Sequence, residues 1–264
     1  MRAKKSLGQH FLKSERALRT IIESGEIISG ETVLEIGPGQ GVLTERLLEA
    51  GAKVIAVEKD DFLFEQLKEK LAGKFKLIHG DILDFDPSTL PSSYKVIANI
   101  PYNITGAILK KFLSAEHQPQ CMVLLVQKEV AERIVTRDAK ESILSISVKA
   151  YGVPRYVEKV LAGSFVPAPK VDSAIIKIEW ISKDFFKKIA YVDTECQQVE
   201  ERFFKMLRAG FQSKRKKLSS NLSKIYPKEV VLRTWKELEL DENLRAEDLP
   251  LEKWRKLAKI LCYN

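Results

Sequence analysis

Short apolar runs at residues 32–36, 54–57, 75–79, 95–99 and 122–127 alternate with segments whose hydrophobic residues recur at helical spacing, and this alternation limits the chain to few folds. Several of the runs are rich in Val and Ile, and they read as strands buried on both faces. Between the first two, Leu43, Leu47 and Leu48 mark one face of a helix that ends at Gly51; between the second and third, Phe64, Leu67 and Leu71 mark another. Five strand-helix alternations predict an α/β domain with a mostly parallel sheet, covered on both faces and wound by right-handed crossovers. Two further strand-like runs, 156–161 and 172–180, are joined by a proline-containing loop instead of a helix, which predicts an antiparallel pair at one sheet edge. The segment 142–151 fits a helix or a strand.

Beyond residue 181 the texture changes. Residues 183–189 read as a linker, and from Val199 onward only helical patterns occur, broken at Tyr226-Pro227 and Leu249-Pro250. The sequence thus divides into an α/β domain over 1–184 and a smaller all-helical domain over 185–264, with no internal repeats or low-complexity tracts. Charge follows the same division. Of the net +8, residues 1–20 carry +5 and residues 185–264 carry +6, which leaves −3 on residues 21–184. Basic ends around such a middle suit a module flanked by polyanion-binding surfaces, and suit equally a soluble protein with a basic surface.

Other features narrow the class further. The longest uninterrupted apolar run, 121–126, is six residues, far short of the roughly 20 that a membrane-spanning helix needs. The basic start of the chain passes into Ser6, Leu7, Gly8 and Gln9 without an apolar stretch, so no export is expected and the cytoplasm is the expected compartment. Cys121, Cys196 and Cys262 lie 75 and 66 residues apart, and His10, His79 and His117 are scattered, which predicts reduced thiols and no metal site.

The most informative string is Val33-Leu34-Glu35-Ile36-Gly37-Pro38-Gly39-Gln40-Gly41-Val42-Leu43, a strand, a glycine-rich turn and a helix start. Gly37 and Gly39 let a ligand approach the backbone closely, but the third glycine arrives one residue earlier than in the dinucleotide fingerprint. Glu35 sits poorly with a diphosphate and well with a zwitterionic ligand whose ammonium needs a negative field. Glu58 ends the second strand, 21 residues beyond Gly37, where a carboxylate can accept from both ribose hydroxyls. Asp81 closes the third strand, placed to accept from an adenine amino group while Ile82 packs on the ring. Alone, an acid after a strand is more often a helix N-cap or a solvated residue. Together, in this order and at βα spacing, the set points to S-adenosylmethionine, with a nicotinamide cofactor as the competitor.

Asn99-Ile100-Pro101-Tyr102 ends the fourth strand, at the carboxyl edge where open α/β sheets place ligands. The exocyclic amine of adenine is a poor nucleophile, because its lone pair is delocalised into the ring. The Asn99 amide oxygen and the Pro101 carbonyl can each accept one of its N–H bonds and aim the lone pair at a methyl donor, while Tyr102 offers a face on which the base stacks. Such stacking contributes roughly 1–3 kcal/mol per base. Catalysis of this kind is positioning and electrostatics, with no strong base required. Read in isolation, the same four residues are a strand end, a proline turn and a buried tyrosine.

Taken together, the motifs resemble those of the ribosomal RNA adenine N6,N6-dimethyltransferases, of the bacterial kind that acts on small-subunit RNA. The strings that carry the resemblance are Lys5-Ser6-Leu7-Gly8-Gln9-His10-Phe11-Leu12, Glu35-Ile36-Gly37-Pro38-Gly39, Glu58, Gly80-Asp81, Asn99-Ile100-Pro101-Tyr102 and Gln127-Lys128-Glu129-Val130-Ala131. They continue in Ser164-Phe165-Val166-Pro167-Ala168-Pro169-Lys170-Val171-Asp172-Ser173 and in Phe211 with Lys214-Arg215-Lys216-Lys217-Leu218. The resemblance implies a Rossmann-like class I methyltransferase sheet carrying S-adenosylmethionine, with a second, smaller helical domain. It implies that His10 and Leu12 help close the cofactor pocket, where relatives carry Asn or His at the first position. Gly37, Glu58, Asp81 and Asn99 would line that pocket, and Phe165 would pack with Tyr102 around a flipped adenine.

The implied substrate is a pair of adjacent adenosines in a hairpin loop near the 3′ end of 16S RNA, dimethylated in the immature small subunit late in its assembly, by an enzyme expected to be a monomer. The cations Lys214, Arg215, Lys216 and Lys217, read as lying on a helix with Arg208 nearby, would neutralise phosphates, or form a solvated face. Two alternatives stay open: a 23S RNA adenine methylase of the macrolide-resistance type, against which the Phe211–Lys217 string argues, and an assembly factor whose main role is to bind the immature subunit. A nicotinamide-dependent dehydrogenase lacks the glycine spacing and a hydride-transfer constellation.

Overall fold

The structure is a computed structural model that describes residues 9–136, 139–190 and 196–263. Lys5 to Gly8 of the opening motif lie outside the described residues. The described residues group into two compact units, one drawn from 1–131 and 153–181, the other from 132–152 and 182–264.

The elements of the first unit begin with β1 (Phe11–Leu12), α1 (Glu15–Gly25), β2 (Thr32–Ile36), α2 (Val42–Glu49), β3 (Lys53–Glu58), α3 (Asp61–Lys70) and β4 (Lys76–His79). They continue with β5 (Tyr94–Asn99), α4 (Thr105–Leu113), β6 (Met122–Gln127) and α5 (Lys128–Val135), the last of which runs across the break between the units. After α6 (Ile143–Lys149), which belongs to the second unit, come β7 (Val153–Val160), β8 (Phe165–Val166) and β9 (Ser173–Glu179).

Among the described residues, seven strands form one sheet in the order β4-β3-β2-β5-β6-β9-β7. The first five of that order are parallel, and β9 and β7 close the edge antiparallel, as the proline-containing connection predicts. All five residues of β2 are buried, as a strand covered on both faces requires. Pro154 lies on β7, the edge strand, where a missing N–H is tolerated. The order in which strands are added reverses between β2 and β5, the chain going out through β3 and β4 and returning to the other side of β2, and at such a switch point a crevice opens at the carboxyl ends of the strands.

Three departures from the sequence reading have local causes. No α-helix joins β4 to β5: Asp81 accepts from the Leu83 N–H (2.9 Å) and Asp86 from the Ser88 N–H (2.9 Å), and these side-chain turns leave only a single 3-10 turn at Pro87–Thr89. An unanticipated helix, α1, is started by Ser14, whose hydroxyl accepts from the Ala17 N–H (3.3 Å), and it buries Ala17, Leu18 and Ile21. Its C-terminus is held by the buried Lys95, whose Nζ donates to the Gly25 carbonyl (3.1 Å), the Glu26 carbonyl (2.8 Å) and Glu31 (2.8 Å). A Cβ on Gly25 would fall 2.6 Å from Ile97 Cδ1, so only glycine lets this helix end sit so close to β5. Finally, 183–189 is not a bare linker, because it contains α7 (Asp184–Lys187), with Phe186 and Ile189 fully buried.

The second unit continues with α8 (Cys196–Gly210), α9 (Leu218–Leu222), α10 (Lys228–Glu237) and α11 (Leu251–Leu261). The segment 132–152, assigned to the first domain from sequence, groups here. The ring of Tyr151 packs on Phe186 (5.1 Å between centroids) and Phe204 (5.9 Å), and its hydroxyl donates to Glu200 (2.5 Å). The ambiguous run 142–151 is helical over α6, with Ser142 and Ser145 forming a reciprocal capping box.

Candidate active site

A cavity of about 220 Å³ opens at the carboxyl ends of β2, β3, β4 and β5. Its floor is the loop after β2. Gly41 has φ +81°, and a Cβ there would lie 2.6 Å from Leu67 Cδ2, so the turn needs glycine on both counts. Gly37 has φ +62° and open space where a Cβ would point, which leaves its backbone accessible from the cavity. Gly39 lines the cavity as well and donates its N–H to Glu58 Oε2 (3.1 Å).

The acids at the strand ends differ in environment. Glu35 lies inside β2 with 2% of its surface exposed, and it accepts from the Thr44 hydroxyl (2.6 Å). Burial pushes its carboxyl up to about 8, the nearby Glu58 adding to the effect and the Thr44 hydrogen bond opposing it. Glu58 is held at both oxygens by backbone, Oε1 accepting from Asp60 N (2.8 Å) and Oε2 from Gly39 N. Burial raises its pKa against those hydrogen bonds. Asp81 Oδ2 pairs with Lys59 Nζ (2.7 Å), which holds its carboxyl below the usual range, and Oδ1 takes the Leu83 N–H. Ile82 is buried beside it and lines the cavity.

At the end of β5, Asn99 Nδ2 donates to the His10 carbonyl (3.0 Å), which fixes the amide and turns Oδ1 away from that contact. The Pro101 carbonyl accepts a long bond from Ile104 N (3.3 Å), and a carbonyl oxygen carries a second lone pair. Tyr102 shares a hydrogen bond with Ser173 and its hydroxyl pKa is raised by burial. The His10 ring lies nearly parallel to that of Tyr102, 5.8 Å between centroids, and its Nδ1 donates to the Pro167 carbonyl (2.8 Å). With Leu12, His10 forms part of the cavity wall.

The structure therefore brings His10, Leu12, Glu35, Gly37, Gly39, Glu58, Asp81, Ile82, Asn99, Pro101 and Tyr102 around one cavity. Phe165 is the exception. Paired with Leu12 across the two-stranded β1-β8 ribbon, it is 2% exposed, belongs to the hydrophobic core and is not among the residues that line the cavity. The sequence reading gives no role to Lys59 or Thr44, nor to Gln9 of the opening motif, whose Nε2 donates to Asp60 (3.2 Å). Thr44 had a signal: a buried acid in a strand needs a donor, and Thr44 sits one turn into the following helix.

The basic string lies elsewhere, in the second unit. Lys214, Arg215, Lys216 and Lys217 are all exposed, but they sit in the loop between α8 and α9 and not on a helix. Gly210 ends α8 against Trp254, where a Cβ would come within 2.5 Å of Cη2, and the Phe211 ring stacks on the same indole at 5.8 Å. The fully buried Asn221 then ties the loop down, its Nδ2 donating to the carbonyls of Gly210 (2.7 Å) and Ser213 (3.1 Å). Arg208 precedes the loop on the last turn of α8. Among the described residues, no group of three or more His, Cys, Asp or Glu could hold a metal ion, and no helix is long and apolar enough to cross a membrane.

Comparison with known proteins gives the family. A protein named ribosomal RNA small subunit methyltransferase A, from Dehalococcoides mccartyi, is 42% identical over 265 residues, covering 98% of this chain and 88% of its own length. A Nostoc sp. protein of the same name is 36% identical, with 99% and 98% covered. Among solved structures, a dimethyladenosine transferase from Plasmodium falciparum superposes with a TM-score of 0.77 at 28% identity, covering 94% of this chain and 96% of that one. The 23S rRNA methyltransferase ErmE gives 0.74 at 26% identity, with 96% and 99% covered. The family profile described as ribosomal RNA adenine dimethylase matches residues 1–262. The chain belongs to the ribosomal RNA adenine dimethylase family.

Proposed function

We propose that this chain transfers methyl groups from S-adenosylmethionine to the exocyclic amines of two adjacent adenosines in the 3′-terminal hairpin loop of 16S RNA, giving N6,N6-dimethyladenosines in the immature small subunit, and that it does so in the cytoplasm as a monomer. The observation that carries the proposal is that the donor-side acids and the Asn99-Pro101-Tyr102 set line one cavity at the switch point of the sheet. The names of the curated relatives favour the small-subunit RNA over the 23S alternative.

The residues fit the donor. Glu35 gives a negative partner once an ammonium beside it favours its ionised form, the two fixed oxygens of Glu58 keep lone-pair capacity for ribose hydroxyls, and Asp81 and Ile82 suit an adenine amino group and ring. Open space at Gly37 admits the chain of the ligand, and His10 and Leu12 wall it in. The donor, when bound, supplies an electrophilic methyl group on a sulfonium leaving group. Asn99 Oδ1 and the Pro101 carbonyl accept the two N–H bonds of the target amine, and Tyr102 stacks on the base. A base in a hairpin loop leaves its stack at lower cost than a paired one. Lys214, Arg215, Lys216, Lys217 and Arg208 neutralise phosphates of the RNA. Phe165, buried in the core, would contribute to the base pocket only through a rearrangement of β8.

The deciding experiment is mass spectrometry of small-subunit RNA from cells lacking the gene, with the wild-type chain or Asn99→Ala returned on a plasmid. Two dimethyladenosines should be missing, restored by the wild type and not by the variant. Intact dimethylation in the deletion strain overturns the assignment.

A further inference from the structure

The purine end of the cavity contains an ion pair that the reading above does not use. Lys59 directly follows Glu58 at the end of β3, Asp81 follows β4, and both line the cavity with Lys59 Nζ 2.7 Å from Asp81 Oδ2. The other carboxylate oxygen is held by the Leu83 N–H, and Leu83 is itself braced by Lys111, whose Nζ donates to the Leu83 carbonyl (2.9 Å). Asp81 is thus gripped at both oxygens, one by a cation and one by backbone. Its side chain is only 23% exposed, whereas that of Lys59 is 59% exposed, so the cation reaches in from the rim to an acid that is already sheltered.

We propose that Lys59 is a specificity-determining positioning residue, which holds Asp81 as an oriented, acceptor-only carboxylate and so makes the site select a donor whose purine bears an exocyclic amino group over one with a 6-oxo group. The proposal rests on the donor-site reading above and deepens it. Each carboxylate oxygen has a second lone pair, so pairing with Lys59 leaves room for an amine N–H. A 6-oxopurine would instead set a carbonyl oxygen against a carboxylate, two acceptors with no hydrogen between them, and a site built this way rejects the mismatched ligand. A carboxyl free to turn aside, or to take up a proton and donate it to the carbonyl, would lose that preference. Lys59 opposes both changes: its hydrogen bond is the largest influence holding the Asp81 pKa down, the Leu83 N–H the next. The aliphatic stem of Lys59 belongs to the same wall, so charge and stem must be separated by the choice of variant.

Titration calorimetry of the full chain with S-adenosylhomocysteine and with S-inosylhomocysteine makes that separation. Lys59→Met keeps the stem and removes the charge; Lys59→Arg keeps a cation; Lys59→Ala removes both. The wild type should prefer the adenosyl compound. In Lys59→Met that preference should shrink about tenfold, the size expected for loss of one charge-assisted hydrogen bond, through weaker adenosyl binding together with tighter inosyl binding as the released carboxyl turns aside or takes up a proton. Lys59→Arg should restore most of the preference, and Lys59→Ala should weaken both ligands in addition. A Met variant with the wild-type preference, or with equal losses for both compounds, overturns the proposal and leaves Lys59 a piece of wall. A wild-type chain that binds neither compound overturns the donor-site reading itself, and this inference with it.

Discussion

Two charged regions of this molecule are built in opposite ways. At the carboxyl edge of the sheet, Glu35 and Glu58 are buried and their side chains are fixed, one by Thr44 and the other by two backbone N–H groups. In the α8–α9 loop the backbone is what is fixed, by Asn221, Gly210 and the Phe211-Trp254 stack, while Lys214 to Lys217 extend into solvent. The difference is what the two proposed ligands call for. A small zwitterionic nucleoside is recognised by the direction of each bond, so its partners must be set before it arrives. A phosphate backbone is recognised by the density of positive charge, and exposed side chains without fixed partners of their own can deliver that from a steady platform.

The sharpest way to break this contrast is at Asn99. Replacing it with Ala should slow methyl transfer to immature small subunits by about 10²- to 10³-fold in single-turnover assays, the usual cost of removing one preorganised polar contact to the reacting group. A rate within tenfold of wild type would mean that fixed side-chain geometry is not what the site depends on. Next in size, changing all four loop cations to Gln should flatten the salt dependence of RNA binding by roughly three in log–log slope, with donor affinity untouched. An unchanged slope would return those cations to a solvated surface role. Asn221→Ala should cost about 1–3 kcal/mol in urea-induced unfolding, because two carbonyls lose a buried donor, yet it should weaken RNA binding less than loss of the cations does.

The buried acid of the cavity adds a pH dependence. The Glu35 carboxyl stands near 8 in the folded chain against an ordinary 4.5, so the stability it contributes is complete below about pH 4.5 and is lost as pH rises through 8. Glu35→Gln should therefore gain on the wild type in thermal unfolding between pH 5 and pH 8, without donor present. A ligand ammonium favours the ionised form, so donor affinity of the wild type should climb over the same interval and stay flat in the variant. Parallel profiles for the two proteins would remove Glu35 from the donor site.

What the sequence disclosed was what is decided locally. The strand, glycine turn and helix of 33–43 carry their own instructions, and so do the acids that end β3 and β4. Lys59 went unread because its meaning lies in Asp81, 22 residues away, and nothing in either residue announces the pair. The cations at 214–217 suggested a helix by composition, but Gly210 and the side chain of Asn221, held from across the turn, decide otherwise. Phe165 matched a motif of base-pocket residues, yet pairing with Leu12 carries it into the core. For α1 the signal is present in the sequence, a serine before Glu15 with Leu18 and Ile21 at helical spacing.

The fastening of α1 has a consequence for how such a chain can change. Lys95 and its three oxygen partners, together with Lys177 and its bonds to Glu26 and Glu179, sit at the amino-terminal rim of the parallel strands, the rim opposite the cavity. The residues that fasten α1 and the residues that line the cavity are therefore separate sets. A lineage entering a hotter habitat can harden the first rim by single substitutions while the second keeps its chemistry, and drift in the reaction need not loosen the scaffold.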